Sequence, residues 1–580
     1  MEYKIQFGSL NSKPQQTQPG KTFRIAILGD FSGKGNSGRV EVGEALAARK
    51  PLRVSHENLD SLLSRLEVCL NLPAGASGAM MEVPIKCMDD FHPDQLYNNV
   101  PVFEKLVSLR QRLQDPTTFP KAAAAVQTLA SAPIAIPSSS VTARASTSNA
   151  IPRGRIESFS DLIQLESRAH ESAELKTLLR DVVREHVVAE MQGQAELIAA
   201  VDESLSDLMR RLLHHPDFQA MESLWRSLDM LIHRLDIDHE LEVVLYDISA
   251  AEFAADLASS TALEDTGLYR WLVEAPALDA SQGPLSLLVS NFVFEHIPPH
   301  AELLGRAAKI AACANAPFIA SMDCSFLKNL NPQEIHPLVK ESWEALRSLP
   351  EAVYLGLVTP RFMLRWPYGK KTEPIESFQL EEFTNKSGLS GMLWGNSALL
   401  VGMLLGQNFR DNGLAGMKLG AILSVDDIPF YYFNDQHGDQ VALPCTERLI
   451  NVRTAQQVTN QGVIPVLSIQ GRSEVRLGGM HSANGAPLAG PWAPVSIQPG
   501  SAVAPIAAPI ATPTPAAETP AAEPASPAPD APPADEPQAA PAAEADDLDA
   551  LLASLDDSSS SADSSDSDMD ADLAALLADL

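Results

Sequence analysis

The chain has 580 residues, 45% of them hydrophobic and 20% charged, with a formal net charge of −31. That length leaves room for roughly two to four domains, and the acidic balance excludes nucleic acid and anionic membrane as natural partners. The charge is uneven: residues 501–580 hold 17 acidic side chains and no Lys or Arg, which leaves −14 on the preceding 500. Met1-Glu2-Tyr3-Lys4-Ile5-Gln6-Phe7 carries no apolar core of signal-peptide length. The most apolar run, Ala398 to Leu405, is far short of the roughly 18 residues that span a bilayer, so no membrane insertion is expected. Cys69, Cys87, Cys313, Cys324 and Cys445 are scattered with no C-x-x-C pair, which suits a reducing cytoplasm.

Residues 22–31 predict a buried strand ending in a turn, Ser32-Gly33-Lys34-Gly35. The turn is phosphate-loop-like, but Gly29 to Gly33 is one residue short of G-x-x-x-x-G-K-[ST], and Gly35 stands where the metal-binding hydroxyl belongs. A plain tight turn is therefore expected. Arg49 to Val54 alternates like an exposed strand, and Leu59, Leu62, Leu63 and Leu66 mark one face of a helix. Met81 to Met88 predicts another strand. The following Met88-Asp89-Asp90-Phe91-His92-Pro93-Asp94-Gln95-Leu96 predicts helix capping in preference to a metal cluster. A helix over Val102 to Leu113 closes a compact unit, 1–119. Residues 120–157, rich in Ala, Ser, Thr and Pro, predict a flexible linker.

A larger unit, 158–489, opens with helices over 162–179 and 197–213. Apolar positions 205, 208, 209 and 212, then 218, 221, 224, 225, 228, 231, 232 and 235, have helical period on either side of Pro216. Two helices meet at that proline, with Phe218, Leu224, Trp225 and Leu228 as core residues of the second. Strand-like runs at 241–248, 285–290 and 316–320 alternate with helices over Ala301 to Cys313 and around Trp343 to Arg347. Such alternation predicts a mixed α/β fold. Residues 356–369 read as irregular, and Met392 to Phe409 as an apolar helix carrying Trp394 as a core residue.

Residues 490–580 turn Pro- and Ala-rich, then Asp- and Ser-rich, and predict a disordered tail. It holds a repeat, 547–555 and 572–580. Leu548, Leu551, Leu552 and Leu555 in one copy, and Leu573, Leu576, Leu577 and Leu580 in the other, fall at one-face spacing with acids at the start. Two tethered amphipathic peptides of this kind fit helix-in-groove recognition of a partner.

No catalytic constellation emerges. Gly388-Leu389-Ser390-Gly391 is one residue short of a nucleophile elbow, and there is no H-E-x-x-H and no G-x-G-x-x-G. His214, His215 and Asp217 face different sides of a helix and predict a structural role. No catalytic, cofactor-binding or metal residue is nominated, and a hydrolytic or nucleotide-binding enzyme ranks last among the readings.

Two stretches resemble one system. Leu28-Gly29-Asp30-Phe31-Ser32-Gly33, Arg49-Lys50-Pro51 and the Met88–Leu96 motif resemble the small subunit of the type VI secretion contractile sheath. His215-Pro216-Asp217-Phe218-Gln219, Glu222, Trp225-Arg226, Ala316-Pro317-Phe318, Pro360-Arg361, Arg365, Pro367-Tyr368-Gly369, Leu393-Trp394-Gly395-Asn396 and Thr446-Glu447 resemble the large subunit. The resemblance implies a natural fusion with a structural role. In that family the two subunits pair, stack into a helical sheath around an inner tube, and contract. It implies as partners other sheath subunits, the inner tube protein or the baseplate, and an AAA+ unfoldase gripping a helix at the position of 159–179. The family's large subunit continues past the equivalent of Gly462 to Leu467 into a part that supplies inter-subunit strands, whereas here the Pro-rich tail begins. An accessory or capping copy, docking on sheath or baseplate without polymerising, is the rival expectation.

Overall fold

The computed structural model describes residues 5–10, 22–73, 79–131, 151, most of 178–186, 193–279, 282–330, 335–385, 387–434, 440–469 and 471–493. All belong to one compact unit, Met1–Ala508. In chain order the first segment gives β1 (Phe23–Gly29), β2 (Leu52–Val54), α1 (Leu59–Leu66), β3 (Val68–Pro73), β4 (Met80–Ile85), α2 (Pro93–Asn99), α3 (Pro101–Gln114) and α4 (Phe119–Ser131). The second gives α5 (Gln194–Leu213), α6 (Pro216–Arg234), β5 (Leu241–Asp247), α7 (Ala250–Ser259), β6 (Leu287–Phe294), α8 (Pro298–Ala314), β7 (Phe318–Met322), α9 (Pro337–Arg347) and β8 (Leu355–Thr359). It continues with β9 (Phe362–Met363), β10 (Trp394–Gly395), α10 (Ser397–Gly416), β11 (Ser424–Asp426), β12 (Tyr431–Asn434), β13 (Gln440–Leu443), α11 (Val452–Asn460), β14 (Ile464–Ser468) and β15 (Glu474–Leu477).

Among the described residues nine strands form one sheet, in the order β11-β15-β14-β8-β7-β6-β1-β5-β2. β1 explains the arrangement. Phe23, Ile25 and Ile27 enter one core, and Ala26 and Leu28 the other. A strand apolar on both faces belongs inside a covered parallel sheet. β1 runs parallel to β5, from Phe23 opposite Leu241 to Gly29 opposite Asp247, and parallel to β6 on its other side. One face of the sheet is covered by α6 and α10 through Leu228, Leu231, Leu399 and Leu400. The other is covered by α7 and α8 through Phe253, Leu257, Leu304 and Ala308. The result is a three-layer α/β fold.

The segments 1–119 and 158–489, expected as two bodies on a connector, thus share one sheet. The early segment's own remaining strands, β3 and β4, pair only with each other, so β1 finds its parallel neighbours in the later segment. Four local readings also change. The start of the expected linker is α4, with Ala122 and Val126 fully buried. Its Ala-rich composition is the best helix former. β3 was not expected, although Val68, Leu70 and Leu72 alternate into the core. β8 overlaps the start of the stretch read as irregular. It is buried at every position, so it shows no alternation to read. Trp394 sits on the two-residue β10, ahead of the helix it was placed on, because the Asn396 side chain accepts from Ala398 N–H and starts α10 there. The tail leucines Leu548, Leu551, Leu552, Leu555, Leu573, Leu576, Leu577 and Leu580, and most of 159–179, lie outside the described residues.

Candidate functional site

The sequence motifs converge on a seam where residues 22–131 meet the later segment. Its apolar centre is the Trp225 stripe. The bend before α6 is a cap: the His215 ring accepts from Asp217 N–H at 3.2 Å, and Pro216 takes the first helical position. Phe218, Leu224, Trp225 and Leu228 are at most 1% exposed. The Trp225 indole N–H donates to the Phe31 carbonyl at 3.3 Å, and the two rings meet edge-on at 5.5 Å. Phe218 meets Phe91 at 5.8 Å. Trp394, 7% exposed, belongs elsewhere, to a small cluster with Met363, Met392 and Leu443.

At the carboxyl end of β1 and β5, carboxylates of the later segment hold the loops of the first. Asp247 accepts from Ser32 N–H at 3.1 Å and Ser32 Oγ–H at 2.8 Å, and pairs with Lys34 Nζ at 2.8 Å. Glu252 accepts from Glu41 N–H at 3.0 Å and from the Arg49 guanidinium. Asp256 accepts from Gly43 N–H at 2.7 Å. Burial works against the charge on Arg49, but Glu252 and Glu41 outweigh it and its pKa rises.

The phosphate-loop-like turn is filled by its own chain. Asp30 Oδ1 accepts from Lys34 N–H at 2.7 Å and Oδ2 from Gly35 N–H at 2.8 Å. Those are the amides a phosphate would need, so the loop offers no anion seat. Burial, and then the neighbouring Asp247 carboxylate, push the Asp30 carboxyl up to about 7.

The Met88–Leu96 motif has two jobs. Asp90 caps locally, accepting from Lys86 N–H at 2.7 Å and Cys87 N–H at 3.2 Å. Asp94 reaches across the seam and accepts from Glu376 N–H at 3.1 Å and Ser377 N–H at 2.8 Å. Tyr97 stacks on Phe378 at 5.0 Å, and His92 meets the Tyr368 ring at 5.0 Å. Local pattern explains Asp90 but carries no signal for the Asp94 contact, which spans 282 to 283 residues of sequence.

Behind Tyr368 lies a buried ionic hub. Arg365 bonds Glu222 at 2.8 Å and Glu382 at 2.7 Å. Arg226 bonds Glu222 at 2.7 Å and the Tyr368 hydroxyl at 3.0 Å. Burial opposes ionisation of Glu222, but Arg365 and Arg226 outweigh it and lower its pKa. Sequence reasoning took up Glu222, Arg226, Arg365 and Tyr368 only through the family resemblance. The signal within reach was a charged Glu222 in an otherwise apolar stripe.

These groups pair with one another, across the seam and in the hub behind it. His214 Nε2 lies 3.9 Å from Glu382, and Ser390 donates to the Ser387 carbonyl. Among the described residues no three His, Cys, Asp or Glu side chains are placed to hold a metal, and no helix is long and apolar enough to cross a membrane. The arrangement joins two protein surfaces.

Residues 195–484, half of the chain, match the family model VipB, described as EvpB/VC_A0108, tail sheath N-terminal domain. The chain belongs to this tail-sheath family. Residues 5–129 match a second model, T6SS_VipA, described as type VI secretion system, VipA, VC_A0107 or Hcp2. The type VI secretion system sheath protein TssC1 of Pseudomonas aeruginosa is 31% identical over 288 residues, which is 47% of this chain and 57% of that protein. The chain therefore spans little more than half the length of this sheath relative. The seam runs between the two matched segments: Asp30, Arg49 and Asp94 come from one, and Glu222, Trp225, Asp247 and Glu252 from the other.

Proposed function

We propose that this tail-sheath protein is a structural subunit of a type VI contractile sheath, in which one polypeptide supplies both the small and the large sheath segments. One observation carries the reading: β1, from the segment matching the small-subunit family, is the strand between β5 and β6 of the segment matching the sheath domain. A free small subunit has no place left to enter. Its role is scaffolding in the cytoplasm, without catalysis. Its partners are further copies of the chain, the inner tube protein and the baseplate. The leucines of 547–555 and 572–580 serve as tethered peptides for a component of the same machine, and 159–179 is the grip for an AAA+ unfoldase. Purified alone or with tube protein, the chain should pellet on ultracentrifugation as hollow tubules visible by negative stain. Monomers that stay in the supernatant under both conditions contradict this reading and favour a capping copy.

A further inference from the structure

A cavity of about 430 Å³ opens beside β2, the edge strand of the sheet. It lies on the face that packs against α7 and α8, with Val244 and Tyr246 of β5 among its apolar lining. Arg24 of β1 stands opposite Glu242 of β5, Arg53 of β2 stands opposite Val244, and Lys50 leads into β2. Residues 282–285 complete the wall. They are fixed against β1, because Arg24 N–H donates to Ser286 Oγ at 3.1 Å and Ser286 N–H donates to the Arg24 carbonyl at 2.9 Å. Gly283, with φ +64°, comes so close that a Cβ there would collide with the Arg24 guanidinium.

The polar groups of this cavity are only partly used. Arg24 Nε–H donates to Glu242 at 2.6 Å, but its two terminal NH2 groups bond no described residue. The Lys50 ammonium and the Tyr246 hydroxyl likewise bond none. Gln282 donates from Nε2 to Asp279 at 3.1 Å, while its Oε1 is buried without a partner. Burial pushes the Tyr246 phenol above its ordinary 10, against the pull of Arg24, so the hydroxyl keeps its proton and is a donor. Three cations, Arg24, Lys50 and Arg53, meet two carboxylates, Glu242 and Asp279. That leaves a positive site on a chain whose net charge is −31.

A guanidinium fork, an ammonium and a phenol hydroxyl on one wall suit a phosphate group, which presents three acceptor oxygens and a charge of about −1.5 to −2. The unpartnered Gln282 oxygen calls for a donor as well, since a buried acceptor left unmatched is costly. A hydroxyl on the body of a phosphate ester supplies it. The volume falls within the range of about 300–1,000 Å³ usual for small-molecule sites, so there is room for more than the phosphate alone. We propose that this cavity binds a small hydroxylated phosphate monoester, of the sugar-phosphate or nucleotide class, with its phosphate on Arg24, Lys50 and Tyr246 and a hydroxyl on Gln282. Arg24 and Lys50 belong to the segment matching the small-subunit family, and Tyr246 and Gln282 to the segment matching the sheath domain. A ligand held by both stabilises their union by mass action. The site is distinct from the Asp30 turn, whose amides are already taken.

The test is isothermal titration calorimetry of the full chain at low salt with glucose 6-phosphate and with AMP. Glucose, gluconate and inorganic phosphate serve as comparisons. At least one ester should bind saturably at 1:1, with glucose silent and with gluconate and inorganic phosphate at least about tenfold weaker. Lys50 is exposed, so Lys50→Ala should keep the parental circular dichroism and weaken the ester by about tenfold, the worth of one charge-assisted hydrogen bond. Gln282→Leu should weaken the ester and leave inorganic phosphate unchanged, a split that a general loss of structure would not give. Absence of saturable binding of either ester up to about 5 mM overturns the proposal, as does ester binding that Lys50→Ala leaves unchanged. Gluconate binding as tightly as the ester overturns the assignment to phosphate.

Discussion

Replacing Trp225 with alanine empties the centre of the seam. The indole is fully buried, donates to the Phe31 carbonyl at 3.3 Å and meets the Phe31 ring edge-on at 5.5 Å. Truncating a large aromatic in a packed core costs about 3–5 kcal/mol. Within that, the ring pair accounts for about 0.5–1.5 kcal/mol and the indole hydrogen bond for about 1 kcal/mol. Trp225→Phe loses the bond and part of the volume, so it should cost about 1–2 kcal/mol. Phe31 lies in the segment matching the small-subunit family, so the damage must appear on both sides of the seam. Urea unfolding followed by far-UV circular dichroism gives the ranking alanine, then phenylalanine, then parent. Hydrogen-exchange mass spectrometry gives the location: amides of β1 and β5 should exchange faster together in the alanine variant. Unchanged exchange at β1, with losses confined to α6, refutes the reasoning.

Glu222→Gln leaves Arg365 and Arg226 short of a buried counter-charge, at a cost of about 3–5 kcal/mol at pH 7. Because the folded pKa of Glu222 lies below its ordinary 4.5, its contribution is present above pH 4.5 and lost as pH falls through the folded value. Parent and variant urea midpoints should converge in acid, and parallel curves contradict this. Asp30 has the opposite sign: between 3.8 and about 7 the folded chain holds a proton that the unfolded chain has released, so stability falls as pH rises through that window. The stability of Asp30→Asn relative to parent should therefore improve from pH 4 to pH 7, and a constant offset contradicts it. Asp94→Ala should cost about 1 kcal/mol and speed exchange at the Glu376 and Ser377 amides roughly fivefold while the sheet stays protected. Unchanged exchange at those two amides would remove Asp94 from the seam.

Period and capping made much of the second segment legible. Pro216 marked the bend, and Phe218, Leu224, Trp225 and Leu228 are buried on α6. Residues 22–31 read as a buried strand ending in a turn. Its neighbours in the sheet were beyond local pattern, because β1 pairs with strands more than 200 residues later. The same holds for Asp94, whose partners are backbone amides of a loop with no signature of its own. β8 was unreadable for another reason: its burial pattern has no period, and Pro360, Arg361 and Arg365 around it gave the stretch the look of a loop. α4 was hidden by an alanine run that serves linker and helix alike until Ala122 and Val126 find a core.

The measurement closest to the core proposition is size-exclusion chromatography of a nicked chain. A protease site placed within 132–150, between the two matched segments, allows cleavage after folding. With β1 between β5 and β6 and the Trp225, Asp247 and Asp94 contacts in place, both fragments should elute together as a 1:1 complex that retains the parental urea midpoint. Fragments that separate under native conditions, each folded, would show two independent modules and contradict a single sheath protomer built from both.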